Sequence, residues 1–139
     1  MKRNLEELEQ KKAVNYLKIL ERQGKIIAFF APMNENLMSG SNREKAMKIE
    51  NKAKAMGKRS GVSDLVIILK DKVIFVELKR SGKKLKSGKI SYAGIKVNEN
   101  QKKFLETIKM SAACDSFVAY GFNEFKEKLD KILKKEENE

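Results

Sequence analysis

Two short apolar runs, Leu65-Val66-Ile67-Ile68-Leu69 and Val73-Ile74-Phe75-Val76, are separated only by Lys70-Asp71-Lys72. Both are rich in β-branched residues and too short for helices, so they read as the two strands of an antiparallel hairpin. Asp64 opens the first run, and Glu77-Leu78-Lys79 closes the second. A turn centred between Lys70 and Asp71 sets Asp64 opposite Glu77, with Cα atoms on the order of 5 Å apart on one face. Strand alternation brings Lys79 to the same face, two residues beyond Glu77. Little else in the hairpin is polar. Two carboxylates with an ammonium beside them make a candidate divalent-metal site. The alternative reading of the same spacing is a surface ion pair between Glu77 and Lys79 on a solvated sheet.

Composition narrows the chemistry. The 139 residues suit one domain with a modest core, spanning 1–139. Lys and Arg number 31 against 19 Asp and Glu, a formal charge of +12. Such an excess points to a polyanionic partner, most often nucleic acid, and otherwise to a merely soluble basic protein. The chain has no His, which removes Ser-His-Asp triads, Cys-His pairs and His-ligated zinc. Carboxylates, Lys, Tyr, Ser and metal-bound water remain. Cys114 is the only cysteine, so no internal disulfide or Cys-rich zinc site forms, and it reads as a small buried residue at a strand edge. No phosphate-cradling Gly-x-x-x-x-Gly-Lys motif is present, so no nucleotide cofactor is expected. No apolar run is long enough to span a bilayer, and Met1-Lys2-Arg3-Asn4-Leu5-Glu6-Glu7 has no apolar signal core. No membrane partner and a cytoplasmic location are the expectations.

Along the chain, residues 4–23 are strong helix formers with Leu5, Leu8, Tyr16, Ile19 and Leu20 at helical spacing, ended by Gly24. Lys25 to Ala31 reads as a strand stopped by Pro32. Asn34 to Asn42 is a polar loop, and Arg43 to Met56 a basic helix with a thin apolar face. The hairpin follows. Residues 80–96 read as a basic, Gly-bearing loop carrying Arg80, Lys83, Lys84, Lys86, Lys89 and Lys96. A run of Lys is either a phosphate-contacting surface or a solvated, mobile loop. Asn98 caps a helix to about Met110, with Gln101 in its first turn. Ser116 to Tyr120 is a strand, Gly121 breaks it, and Asn123 can cap a last helix to about Lys135, leaving 136–139 as a frayed tail. This order predicts an α/β fold with a small mixed sheet flanked by helices.

Phosphodiester hydrolysis needs an activated water and stabilisation of an anionic transition state, and a hard cation held by carboxylates serves both. Mg2+ keeps several waters and needs few protein ligands, with Mn2+ a ready substitute. Asp64 and Glu77 are two candidates, the Leu78 backbone carbonyl at the strand edge a third, and Lys79 can orient the water or stabilise developing charge.

Gly61-Val62-Ser63-Asp64 with Glu77-Leu78-Lys79 resembles the PD-(D/E)xK nuclease signature, and within that superfamily the chain resembles a VRR-Nuc domain. The resemblance covers nearly the whole chain. It includes Glu6 to Leu17 as a first helix opening on an acid, Ala31-Pro32-Met33-Asn34-Glu35 as a strand ending in a turn, and Lys52 to Gly57 as a basic helix leading to Gly61. Asn98-Glu99-Asn100-Gln101 resembles the helix-opening Ser-x-x-Gln element, and Val118 to Phe122 the last strand with its Gly-aromatic turn. Ser63 stands where the family usually has Pro, Met33 interrupts a Pro-Asn pair, and the insert from Ser81 to Lys96 is longer and more basic than a minimal family loop.

The resemblance implies a restriction-endonuclease-like core, with Asp64, Glu77 and the Leu78 carbonyl as metal ligands and Lys79 as the catalytic lysine. It implies that Gln101 contacts the site or the scissile phosphate, the other reading being helix capping alone. It makes Glu6 the first-helix carboxylate. Helical phase competes here, putting Glu9 roughly 40° from Leu5 and Glu6 about 100° away. The implied activity is a Mg2+-dependent endodeoxyribonuclease acting on four-way (Holliday) junctions or other branched DNA, as a two-fold homodimer, in DNA repair and recombination. Arg80, Lys83, Lys84, Lys86 and Lys89 would contact DNA. A flap or single-strand-branch nuclease, an RNA-processing nuclease and a non-catalytic DNA-binding module are the other readings.

Overall fold

In the computed structural model the described residues are 5–32, 42–59 and 61–138. They form α1 (Leu5–Arg22), β1 (Ala28–Phe30), α2 (Arg43–Ala55), β2 (Leu65–Ile68), β3 (Val73–Lys79), β4 (Lys83–Lys84), β5 (Ile90–Ser91), α3 (Glu99–Ile108), β6 (Cys114–Tyr120) and α4 (Phe122–Glu137). The expected turn holds. Leu65 pairs with Val76 and Ile68 with Val73, antiparallel, so the register is the one that brings Asp64 up to Glu77. The four-stranded sheet has the order β1-β2-β3-β6. β1 runs antiparallel to β2, and β6 parallel to β3. A parallel neighbour requires a crossover, and α3 supplies it. The result is the mixed α/β sheet flanked by helices.

Alternation divides this sheet into two unlike faces. Leu65, Ile67, Ile74, Val76, Leu78 and Ala119 pack with Ala13, Leu17 and Leu20 of α1 and Phe125, Leu129 and Leu133 of α4. Burial of each large apolar side chain contributes about 1.5–3 kcal/mol. Tyr16 also donates to Asp130, tying α1 to α4. The other face carries Val66, Phe75, Glu77, Lys79 and Ser116. Here α3 covers only part: Phe104 meets Phe75 edge-on at 5.7 Å, and Ser116 Oγ donates to the Leu105 carbonyl. α2 buries none of its residues.

Several elements differ from expectation. The buried line of α1 runs through Ala13, Leu17 and Leu20, while Leu5 and Ile19 are exposed. The strand expected from Lys25 is formed only at Ala28–Phe30. The 80–96 segment is not simply a loop. Its β4 and β5 pair as a ribbon, and Tyr92 packs on Tyr120 at 4.9 Å. The cap of α4 is Gly121 and not Asn123, which lies inside the helix. The helix continues to Glu137, and Glu136 pairs with Lys72 at 3.5 Å, so the expected fraying does not begin at position 136. Cys114 is half-buried at the start of β6. The polar loop from Asn34, and Met33 to Glu35 with it, lies outside the described residues up to Asn42. No described helix is long and apolar enough to cross a membrane.

Candidate active site

The partly covered face is organised in transverse rows. Phe30, Val66, Phe75 and Ser116 are register partners and make one row. Two residues further along, Glu77 stands beside Asp64, and one pleat beyond that Lys79 pairs with Tyr120. The site therefore sits where β2 begins and β3 runs on past it, paired with β6 alone.

Asp64 lies just before β2, and its side chain completes the ladder. Leu78 N donates to Asp64 Oδ2 at 2.8 Å, a bond that the β2 backbone does not provide. The Leu78 carbonyl follows by geometry. Gly121 N donates to the Lys79 carbonyl at 2.8 Å, so position 79 turns its backbone toward β6. Alternation turns that of Leu78 the other way, toward Asp64.

Glu77 is 1% exposed and Lys79 9%. Lys79 Nζ lies 3.5 Å from Glu77 Oε1. Gln101 Nε2 donates to the same oxygen at 2.7 Å. Gln101 also completes a capping box: its Oε1 accepts from Asn98 N at 3.0 Å, and its own N–H donates to Asn98 Oδ1 at 2.8 Å. Because the cap fixes the carbonyl end of the amide, the NH2 end is left for Glu77. The two readings of Gln101 are thus one arrangement. Gly61 makes it possible. Its φ is +81°, and a Cβ there would lie 2.5 Å from the Asn100 carbonyl oxygen, so a larger residue would push the first turn of α3 away from Glu77.

Glu77 Oε2 is buried with no donor, while the Asp64 carboxylate lies against the same carboxyl group. Burial first, then the neighbouring Asp64 carboxylate, push the Glu77 pKa up to about 8, with Lys79 pulling the other way. Two facing carboxylates need a proton or a cation between them. The donor set fits a hard dication: two carboxylates and a carbonyl, all oxygen. Among the described residues no three acidic, His or Cys side chains gather as a closed metal cage. An ion that keeps most of its waters needs none.

The two first-helix acids part company. Glu6 lines a cleft of about 640 Å³ together with Gln10, Asp64 and Leu78. Glu9 points elsewhere: its Oε2 accepts from Phe122 N at 2.5 Å and its Oε1 from Ser81 Oγ at 3.3 Å. Glu9 thus caps α4, whose Gly121 has no side chain to do so. Lys83, Lys84, Lys86 and Lys89 are exposed on the ribbon and Arg80 is half-buried at its base, joined to the site through Tyr92 and Tyr120. Sequence reasoning missed the Glu9 cap and the apolar row beside the acids. The row was readable in principle, since Phe30 is an aromatic just before Pro32.

No protein-family model matches the sequence, and no curated protein matches it. Among solved structures, one of a VRR_NUC domain protein superposes with a TM-score of 0.54 at 18% identity, covering 94% of this chain and 89% of that one. At that identity the likeness concerns the fold: nearly the whole of this chain is built as that VRR_NUC domain protein is built.

Proposed function

We infer that the chain is a metal-dependent, structure-selective DNA endonuclease that hydrolyses phosphodiester bonds in branched DNA, four-way junctions among them. The observation that carries this reading is the buried Glu77 beside half-buried Asp64, with Lys79 against it and one Glu77 carboxyl oxygen left without a donor. A pure DNA binder gains nothing from buried carboxylates facing phosphate. The shared fold with a VRR_NUC domain protein supports nuclease chemistry in general, and the +12 charge supports a nucleic-acid partner.

Asp64, Glu77 and the Leu78 carbonyl would hold Mg2+ or Mn2+, with Glu6 contributing across the cleft through water. When bound, such an ion supplies an activated water and offsets charge at the phosphate. Lys79, fixed beside Glu77, would donate to the attacking water or to a non-bridging phosphate oxygen. Gln101 holds Glu77 turned into the site. Arg80 and the lysines of the ribbon would contact flanking phosphates. A two-fold homodimer would suit a junction, because two related sites can nick two related strands.

A cleavage panel tests this reading: four-way junction, flap, splayed arm, duplex and RNA, each with Mg2+ and Mn2+. Cleavage of branched DNA that vanishes in Glu77→Gln is expected. Cleavage unaffected by Glu77→Gln overturns the site, and preferential cleavage of RNA overturns the substrate. Neutralising Lys83, Lys84, Lys86 and Lys89 together should flatten the salt dependence of log K by up to about 0.9 per lost phosphate contact.

A further inference from the structure

The apolar row beside the acids is an open groove. Phe30, Pro32, Val62, Val66 and Phe75 line about 310 Å³ of it, with Lys58 and Arg59 at the rim. Phe30 is 51% exposed, whereas Val66 beneath the groove is 4% exposed. Val66 and Phe75 stand two residues from Asp64 and Glu77 on the same face, about 7 Å along the strands. One side of the site therefore leads to the basic ribbon through Tyr120, and the other leads to this groove.

We propose that the groove receives an unpaired nucleobase of the bound strand, next to the phosphate that faces the Asp64–Glu77 site. The inference rests on the nuclease reading and narrows it to substrates with an unpaired nucleotide at the branch. A base turned out of its stack needs an aromatic face and an apolar floor, with a cation for the adjoining phosphate. Phe30 supplies the face, and Val66 with Phe75 the floor. Arg59 supplies the cation: its guanidinium lies 5.4 Å from the centre of the Phe104 ring. Charge argues for this occupant over a second copy of the chain. A copy would bring a +12 molecule to a rim that already carries Arg59 beside the Glu50-paired Lys58, whereas a nucleotide brings a compensating anion.

The test reads base stacking directly and requires no cleavage. A splayed-arm DNA carries 2-aminopurine at one unpaired position at a time, and the metal-free protein is titrated into it. One position near the branch should change fluorescence on binding. Phe30→Leu, which keeps apolar bulk but loses the ring, should abolish that change and weaken binding roughly 5- to 150-fold, the range for one stacked base. Phe30→Trp should retain both. An abasic nucleotide at the responding position should weaken the wild type equally and Phe30→Leu no further. Unchanged affinity and fluorescence in Phe30→Leu overturn the proposal. So does a Phe30→Leu protein that loses self-association in sedimentation while its base signal persists. Because the signal is independent of turnover, loss of cleavage in Glu77→Gln with no effect of Phe30→Leu removes the groove and leaves the active site standing.

Discussion

The two faces of the sheet are made from the same strands yet follow opposite rules. On the α1/α4 face, Leu65, Ile67, Ile74, Val76 and Leu78 are closed over completely among apolar side chains. On the other, the same strands bury Glu77 and Lys79 beside an open row of aromatics. A carboxylate can be desolvated here because the face behind it supplies the stability. Alternation along β3 therefore puts Phe75, Glu77 and Lys79 on the face of the candidate site and Ile74, Val76 and Leu78 in the core.

The largest test of that division sets two neighbours on β3 against each other. Glu77→Gln and Asp64→Asn should lower cleavage by at least about 100- to 1,000-fold. Their unfolding midpoints should be unchanged or higher, since each removes one of two carboxyl groups that repel each other when both are ionised. Asn is the informative replacement at position 64 because it keeps an acceptor for the Leu78 amide. Ile74→Ala should do the reverse, losing about 2–5 kcal/mol of stability while the fraction still folded cleaves normally. Denaturant melts run beside cleavage assays decide it, and equal loss of both properties in both variants would break the division.

Stability against pH sharpens it further. The Glu77 pKa rises from 4.5 to about 8 on folding. Between those values the folded protein holds a proton that the unfolded chain has released. Stability of the metal-free protein should therefore be greatest near the bottom of the window and fall as pH rises, by at most about 1.4 kcal/mol per pH unit, levelling off above about pH 8. Urea unfolding at stepped pH measures this. Glu77→Gln should remove the slope, and a divalent cation bound to the ionised pair should reduce it. A slope that survives in Glu77→Gln assigns the titration to another group.

A smaller effect separates the acids of α1. Glu9→Ala should cost about 0.5–2 kcal/mol, the usual loss for a helix cap, and Glu6→Ala should leave stability alone while lowering cleavage. Full activity in Glu6→Ala would remove it from the site. Smallest of all is Ser63→Ala. Ser63 is 0% exposed, and its hydroxyl has no partner. Its removal should be neutral or stabilising by up to about 1 kcal/mol in a thermal melt. Destabilisation would reveal a partner for that hydroxyl.

The hairpin was legible in the sequence because a period of two and a short polar turn leave one register that buries one face. The capping box of α3 was legible for a similar reason, since Asn98 and Gln101 are three residues apart. Helical phase correctly ranked Glu9 as the more inward acid, but its partner, the Phe122 amide, lies 113 residues away. No local pattern carries that distance. The same contact explains the misplaced cap of α4: Asn123 has the right chemistry, and Glu9 already occupies the role. The β4–β5 ribbon was hidden because its strands are two residues long and partly lysine, and it is braced by an aromatic contact with β6. The inward line of α1 was misread because Ala13 gives a weak apolar signal beside Leu5 and Ile19.

The side-chain rung between Asp64 and Leu78 has a spectroscopic consequence. The Leu78 backbone amide is tied to the carboxylate that would meet the ion, so its resonance should register the occupancy of that carboxylate. In a 15N-labelled sample, the peak of residue 78 should shift as a divalent cation is added, while the amides of Ile67 and Ile74 in the sealed core stay still. Metal loading could then be followed atom by atom, with no substrate present.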